Sequence, residues 1–245
     1  KGLRDSGANV RGVICDVADP ASVARAAQTS FDTFGNVHVV CNNAGVAGGS
    51  GIDNISLDNW RWVLDVNLMG VLHGIHAFLP HIRAHGEGGH IVNTASMAGM
   101  VPLPEMGAYS TAKYAVRGFT ESLRLSLAPH GIGVSCLFPG AVRTALVPIP
   151  EDDSTVEAND FMRALWAAMR VAMDPMDLGK IVVQAIRDNR LHILAHREFY
   201  DEVVDRNRRL EADFLPAGDV PEARRRFETM RRETVDQLLA MPVHD

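Results

Sequence analysis

Short runs of apolar residues alternate along the chain with longer stretches in which apolar residues recur every three or four positions. The short runs are typical of buried strands and the longer spacing of helices packed on one face. We predict strands near residues 10–15, 37–41, 90–95, 132–138 and 191–195. We predict helices near residues 20–34, 57–84, 107–128 and 177–189. This alternation indicates an α/β fold, a doubly wound parallel sheet of the Rossmann type whose ligand lies at the carboxyl edge of the strands.

Two segments depart from this alternation. Residues 146–175 contain Pro148, Pro150 and an acidic run before an apolar stretch that is typical of a helix. Residues 196–245 are highly charged, with arginines interleaved among acidic residues. That interleaving is typical of a solvated helix face with ion pairs. We therefore predict a Rossmann-type domain over residues 1–195 and a helical C-terminal extension over residues 196–245.

Composition narrows the classes of protein. The 245 residues suffice for one domain with a large core, and 47% of them are hydrophobic. The formal net charge of -6 argues against a nucleic-acid or anionic-membrane surface. No apolar run reaches the ~18 residues of a membrane helix. We expect Cys15, Cys41 and Cys136 to be buried free thiols, which fits a reducing, cytoplasmic compartment.

Four histidines lie on the predicted helix 57–84 and just beyond it, namely His73, His76, His81 and His85. Their spacings could pair them around a metal ion, but the sequence joins no carboxylate or cysteine to them. We therefore predict no metal site. Ordinary polar faces and a contact between subunits explain these histidines better.

Tyr109 and Lys113 carry the clearest candidate chemistry. Residues four apart lie on one face of a helix, so the ammonium can lie beside the phenol. A phenol titrates near ~10, and a fixed positive charge lowers that pKa. The pair could therefore move a proton to or from an alcohol oxygen. An exposed helix face that happens to carry both residues is the alternative for the pair alone.

Further motifs occur around this pair in a fixed order. Asn42-Asn43-Ala44-Gly45 follows one predicted strand, Asn67 begins an NxxG run that ends at Gly70, and Ser96 ends another strand. Pro139-Gly140 follows a third strand, with Thr144 four residues later. The ordered set resembles the short-chain dehydrogenase/reductase family over roughly residues 10 to 146. Each motif is weak alone, whereas the set with these gaps is specific.

The resemblance implies a reaction and a role for each catalytic residue. The reaction would be hydride transfer between NAD or NADP and a secondary alcohol or ketone. Tyr109 would exchange the hydroxyl proton, Ser96 would hydrogen-bond the same oxygen, and Lys113 would hold the nicotinamide ribose. Asn67 would anchor a water that links Lys113 to solvent, although a surface Asn is the alternative. Residues 146–175 would form a mobile lid over the substrate.

The resemblance also implies a set of cofactor contacts. Besides Tyr109 and Lys113, the cofactor-binding residues would be Asp16, Val17, Asn43, Ala44, Gly45, Pro139, Gly140, Val142 and Thr144. A turn or cap before the next helix is the equal alternative for Asp16. Val142 stands where the family often has Ile. The family's first βαβ unit, with its phosphate-binding glycines, would precede this sequence, so we expect the chain to be truncated. The residue that distinguishes NAD from NADP would follow the second strand of that unit, so the sequence does not choose between the two cofactors.

The apolar loop 97–106 and the apolar residues near 161–169 suggest a mainly apolar substrate, with core packing as the alternative. We expect the partners to be a small-molecule alcohol or ketone and further copies of the chain in a homodimer or homotetramer. We expect no nucleic acid and no membrane. Two other functions stay open: a catalytically silent binding or scaffold protein, and a dehydratase or epimerase on the same scaffold.

Overall fold

The computed structural model describes residues 2–48, 56–151, 158–216 and 218–243. Its described residues form one parallel sheet in the order β1-β2-β3-β4. The strands are β1 (Val39–Asn42), β2 (Gly89–Thr94), β3 (Ile132–Leu137) and β4 (His192–Ile193). All carboxyl ends therefore meet at one edge, which confirms the predicted α/β architecture.

Helices connect and cover the strands, and their bounds are close to the predicted ones. They are α1 (Gly2–Asp5), α2 (Pro20–Phe34), α3 (Leu57–Leu64), α4 (Gly70–His85), α5 (Gly107–Leu127), α6 (Asp160–Arg170), α7 (Pro175–Arg187), α8 (Tyr200–Ala212) and α9 (Glu222–Leu239). The last two confirm that the C-terminal extension is helical.

Capping side chains explain where several helices begin. Asp19 accepts hydrogen bonds from the first backbone N–H groups of α2, directly before Pro20. Asp174 caps α7 in the same way, with its carboxylate 2.8 Å from the Met176 nitrogen. We predicted that this helix begins near residue 177, which was wrong because Pro175 already occupies the first helical position. Asp177 forms an ion pair with Lys180 instead.

The predicted helix over residues 57–84 is interrupted in its middle. A π-helical turn, Asp65–Met69, joins α3 to α4, and Asn67 lies inside it. Such turns are rare and frequently lie at functional sites. The run Leu57–His85 is long and apolar enough to span a membrane by length and composition alone, with a mean hydropathy of 1.3 over its most apolar window. Its Val71, Ile75 and Ile82 are buried in clusters with the sheet, as in a core helix.

The predicted strand over residues 10–15 does not form. A strand needs a hydrogen-bonded neighbour, and in the described chain β1 lies at the edge of the sheet without one on that side. Ile14 is fully exposed. For the same reason, our expectation that all three thiols are buried was wrong for Cys15 and Cys41, whereas Cys136 is buried in β3.

Candidate active site

Three of the predicted site segments meet at the carboxyl edge of the sheet. Asn43 follows β1, Ser96 follows β2, and Pro139 follows β3. Hydrogen bonds join neighbouring segments: the Thr94 hydroxyl donates to Asn43 Oδ1 over 3.0 Å. The Met97 N–H donates to the Pro139 carbonyl over 2.9 Å. The fold thus brings together residues that are nearly a hundred positions apart.

Tyr109 and Ser96 are positioned for shared contact with one oxygen atom. Tyr109 lies in the first turn of α5 and is 7% exposed. Ser96 caps a short 3₁₀ turn, where its hydroxyl accepts from the Ala98 N–H over 3.1 Å and donates to the Pro139 carbonyl over 3.4 Å. A hydrogen bond between Ser96 and Tyr109 also acts to lower the pKa of Tyr109. The two hydroxyl groups therefore face the same space.

Lys113 is buried one helical turn after Tyr109. Its Nζ donates to the Thr94 carbonyl over 2.9 Å and lies 5.5 Å from the centroid of the Tyr109 ring. Only 4% of the residue is exposed. Burial lowers the pKa of Lys113 to about 8, partly opposed by the nearby Cys136. The ammonium therefore loses its charge at a much lower pH than an exposed lysine does.

The electrostatics of Tyr109 differ from our expectation. Burial raises the pKa of Tyr109, and the Ser96 hydrogen bond opposes that rise without reversing it. We expected Lys113 to lower this pKa. The difference follows from geometry, because the Lys113 ammonium donates to Thr94 and lies beside the ring face. At neutral pH the site therefore holds a phenol, which is the proton-donating form.

Asn67 is a fully buried residue, so the surface alternative was wrong. Its Oδ1 accepts from the Val46 N–H over 3.1 Å, and its Nδ2 donates to the Val46 and Val63 carbonyls over 3.0 Å each. Asn67 thus fixes the chain that follows the NNAG motif. The role of Asn67 in holding a water molecule stays a prediction.

Gly45 passes through the narrowest part of this cluster. A Cβ at Gly45 would lie 2.9 Å from Asn67 Oδ1 and 3.7 Å from Lys113 Nζ. No side chain fits there without displacing Asn67. The backbone of the NNAG motif is therefore held directly beside the Lys113 ammonium, which is where the resemblance placed a cofactor-binding segment.

Other predicted residues lie at the margin of this cluster. Val17, Asn43 and Ala44 line one cavity of about 380 Å³ between α2, β1 and α4. The Asp16 carboxylate accepts from the Ala18 N–H over 3.0 Å, as a turn residue does. Val142 pairs with Met173, near the end of the lid segment, in an isolated parallel bridge.

The remaining predicted contacts are local. The Thr144 hydroxyl accepts from the Leu146 N–H over 3.3 Å, so it stabilises the start of the lid segment. In the loop before Tyr109, Met97 and Val101 are buried in the core, whereas Met100, Leu103 and Met106 are half-buried. Core packing was therefore the correct interpretation for the first two.

Sequence reasoning missed residues that support the site from distant segments. Asn159 caps α6 and donates its amide to Glu105 over 3.0 Å, which ties the lid segment to the loop before Tyr109. The Tyr114 hydroxyl donates to the Met100 carbonyl over 2.5 Å. His196 follows β4 at the same sheet edge, so its position after a strand was the signal that could have identified it.

Three side chains elsewhere approach one another as metal ligands would. His38, His85 and Glu87 bring their ligand atoms within 4.8 Å of one another, so a carboxylate does join one of the helix histidines. His38 pairs with Glu87 over 2.6 Å and lowers the pKa of that carboxyl. Both ring nitrogens of His85 are occupied, by the Val37 carbonyl and the Glu87 N–H. We therefore interpret the cluster as an ion pair with supporting hydrogen bonds.

The fold and the site define a Rossmann-type protein with a serine, a tyrosine and a lysine at the carboxyl edge of its sheet. A family model described as short chain dehydrogenase matches residues 1–153. The chain therefore belongs to the short-chain dehydrogenase family, as the motifs indicated. Members of this family are oxidoreductases that use NAD or NADP.

Several curated relatives are similar over part of the chain. SadH of Mycobacterium tuberculosis, provisionally named an oxidoreductase, is 42% identical over 57% of this chain and 51% of its own. A 3-alpha-(or 20-beta)-hydroxysteroid dehydrogenase of Mycobacterium bovis is 35% identical over 73% of this chain and 64% of its own length. A cyclohexanol dehydrogenase of Acinetobacter is 36% identical over 60% of this chain and 59% of its own length. The chain thus spans between half and two thirds of the length of these relatives.

Solved structures agree with the fold. A protein from Novosphingobium aromaticivorans, provisionally named a short-chain dehydrogenase, is 32% identical and superposes with a TM-score of 0.81, covering 97% of this chain and 82% of its own. A short chain dehydrogenase/reductase from Burkholderia phymatum in complex with NAD is 34% identical, with a TM-score of 0.76 and coverage of 90% and 83%.

Proposed function

We propose that this protein interconverts a mainly apolar secondary alcohol and its ketone by hydride transfer to or from NAD or NADP. The observation that carries this proposal is the arrangement of Tyr109, Ser96 and Lys113 at one sheet edge. Tyr109 and Lys113 are buried on α5, and Ser96 lies two residues before Ala98, which packs in the same core cluster as Tyr109. Family membership supports the class of reaction.

The residues present fit a nicotinamide cofactor. The backbone at Gly45 approaches Lys113 Nζ so closely that a side chain would fill the space between them. Val17, Asn43 and Ala44 line a common cavity on the adjoining side of β1. We assign these residues, with Pro139, Gly140, Val142 and Thr144, to cofactor binding. When bound, the nicotinamide would accept or supply the hydride.

The chain's own groups would handle the proton. In ketone reduction, the Tyr109 phenol donates its proton to the carbonyl oxygen as that oxygen gains negative charge. The Ser96 hydroxyl donates a hydrogen bond to the same oxygen and stabilises the charge that develops there. In alcohol oxidation the Tyr109 phenolate takes the hydroxyl proton. Lys113 Nζ, which donates to the Thr94 carbonyl, would also hold the cofactor ribose.

The proposed substrate is an alicyclic or aromatic alcohol. Met100, Leu103 and Met106 are half-buried before Tyr109 and offer soft apolar area near it. Arg143, a charged residue three positions after Gly140, is already paired with Asp174 over 2.6 Å. The names of the hydroxysteroid and cyclohexanol relatives support the same substrate class.

A substrate panel tests this proposal. The full-length protein is assayed with NAD and with NADP against aryl and alicyclic alcohols, polyols, sugar phosphates and hydroxy acids at equal concentration. We expect the highest kcat/KM in the aryl and alicyclic set. The Tyr109→Phe variant is assayed in parallel to measure background turnover.

Three outcomes would contradict the proposal. A preference for the charged or polyol set would exclude the apolar substrate. A full-length protein that binds no nicotinamide cofactor would favour the scaffold function. A cofactor that returns unchanged after each turnover would favour a dehydratase or epimerase.

A further inference from the structure

His196 is a buried histidine with no role in the reaction described above. It follows β4, and only 6% of it is exposed. The Gly140 N–H donates to His196 Nδ1 over 3.3 Å, and His196 Nε2 lies 3.3 Å from the Ala141 carbonyl oxygen. Because Nδ1 accepts, the proton is on Nε2, which donates to that carbonyl. One neutral imidazole therefore satisfies two backbone groups of a single loop.

The packing between this ring and the loop leaves no spare space. A Cβ at Gly140 would lie 2.7 Å from His196 Cδ2 and 2.8 Å from a ring carbon of Phe199. Glycine at position 140 is thus required by the C-terminal segment as well as by any cofactor contact. The imidazole packs closely against Gly140, so it can hold the loop by packing as well as by hydrogen bonding.

The same loop also contacts Ser96, the serine of the proposed active site. The Pro139 carbonyl accepts from the Ser96 hydroxyl over 3.4 Å and from the Met97 N–H over 2.9 Å. A displacement of residues 139–141 would therefore move the acceptor that orients Ser96. His196 and Ser96 thus hydrogen-bond to different residues of one short loop, His196 to Gly140 and Ala141 and Ser96 to Pro139.

The start of the C-terminal extension adds apolar support. Phe199 and Val203 pack against the core cluster that contains Met97 and Phe138. The extension from His196 onward thus contacts both the segment after β2 and the segment after β3. Its first residues belong structurally to the site edge of the sheet.

We infer that His196 is a positioning residue, which holds residues 139–141 and, through the Pro139 carbonyl, the orientation of Ser96. The inference rests on the proposed function for its effect on turnover. Its effect on the loop itself is independent of any activity.

The kinetic test uses His196→Leu, which removes both hydrogen bonds and keeps apolar volume. We expect kcat to fall about 10–100-fold with little change in the KM for the alcohol, since small misplacements of catalytic groups have effects of this size. His196→Gln retains an acceptor and a donor and should recover part of the loss. His192→Leu is the matched control, because His192 is exposed on the preceding strand and its ring contacts Glu121 and the Phe138 ring, with no hydrogen bond to residues 139–141 in the described part of the chain.

A double-mutant cycle with Ser96→Ala identifies the path of the effect. If His196 acts through Ser96, adding His196→Leu to Ser96→Ala should cause little further loss of kcat. An undiminished loss in that background would overturn the inference.

Hydrogen exchange of the Gly140 and Met97 amides gives a readout that needs no turnover. Both amides should exchange faster in His196→Leu than in the wild-type protein, while the Cys136 amide in β3 stays protected. Unchanged exchange at Gly140 and Met97 would overturn the inference even if activity fell. Failure of the wild-type protein to oxidise or reduce any substrate would instead contradict the proposed function, and the exchange result would still decide the role of His196.

Discussion

Asn67 binds both backbone groups of Val46, accepting from its N–H and donating to its carbonyl across 21 positions of sequence. The π-helical turn Asp65–Met69 places the amide where it can reach this loop. A regular helix would shift the side chains that follow around the axis by about a third of a turn. The local distortion of the helix is therefore linked to the conformation of the loop beside Lys113.

Asn67→Ala should destabilise the protein by about 1–3 kcal/mol, because it leaves polar groups of Val46 without their partner. It should also lower turnover, since the NNAG loop is no longer held beside Lys113. The free energy of unfolding and kcat are measured together. Asn59→Ala is the control, because the buried Oδ1 of Asn59 has no hydrogen-bond partner among the described residues. Equal stability of the two variants would contradict the prediction.

Gly45→Ala should weaken cofactor binding. The added methyl would lie 2.9 Å from Asn67 Oδ1, so either the loop or the amide must move. We expect a several-fold rise in the Kd for the nicotinamide cofactor, measured by quenching of protein fluorescence. Gly179→Ala in α7 is the matched control, because a Cβ there meets no described atom within 4 Å. That control should leave binding unchanged and stabilise the helix by about 0.5–1 kcal/mol.

The site could be predicted to the extent that its signals are local or lie at strand ends. Tyr109 and Lys113 share a helix face, and Ser96 directly follows a strand, so the ordered motifs and the family resemblance pointed to them. The contacts that support the site could not be predicted in this way. The same motifs pointed to Asn67 but not to the loop 21 positions away that it binds, and the position of His196 after a strand does not indicate the loop 56 positions away that it contacts.

The fold shows the same division between local and tertiary determinants. The Asp-Pro pairs at 19–20 and 174–175 begin helices through their own side chains and backbone. The apolar run at residues 10–15 has a strand-like pattern but no strand beside it, so its pattern misled the prediction. The raised pKa of Tyr109 likewise depends on burial, which a sequence motif does not report.

Tyr109→Phe should lower turnover about 10²–10⁴-fold while cofactor affinity stays within a few-fold of wild type. The substitution keeps the ring and removes only the transferable proton. Tyr114→Phe is the control on the same helix, since it removes the hydroxyl that donates to Met100 and should change turnover far less. Turnover of Tyr109→Phe near the wild-type rate would remove Tyr109 from the mechanism.

The two directions of the reaction should respond oppositely to pH. Burial raises the pKa of Tyr109, so the phenol that reduction needs persists through neutral pH, whereas oxidation should accelerate as pH rises toward that pKa. Lys113 loses its charge near its pKa of about 8, below the pH at which the buried Tyr109 ionises. Lys113→Met should therefore leave the midpoint of the oxidation profile nearly unchanged. Lys180→Met, at an exposed lysine paired with Asp177, is the control, and a midpoint that moves in Lys113→Met but not in Lys180→Met would show that the Lys113 charge does act on Tyr109.

His90 should make the folded protein sensitive to acid. Its Nε2 donates to the Ser135 hydroxyl over 2.8 Å, because that hydroxyl donates in turn to the Arg190 carbonyl over 2.6 Å. Burial, aided by the charge of Arg124, lowers the pKa of His90 from 6.5 to about 4. Between these values the unfolded chain binds a proton that the folded chain does not, so the free energy of unfolding decreases as pH falls from 6.5 toward 4.

The expected loss from His90 alone is at most about 3 kcal/mol over that interval. Chemical denaturation at a series of pH values measures it. His90→Gln keeps a donor for Ser135 and removes the titration, so its free energy of unfolding should fall less steeply than that of the wild-type protein. His130→Gln, at an exposed histidine, should retain the wild-type slope. Because the carboxylates titrate alike in all three proteins, a His90→Gln slope equal to the wild-type slope would exclude His90 as the source of the acid sensitivity.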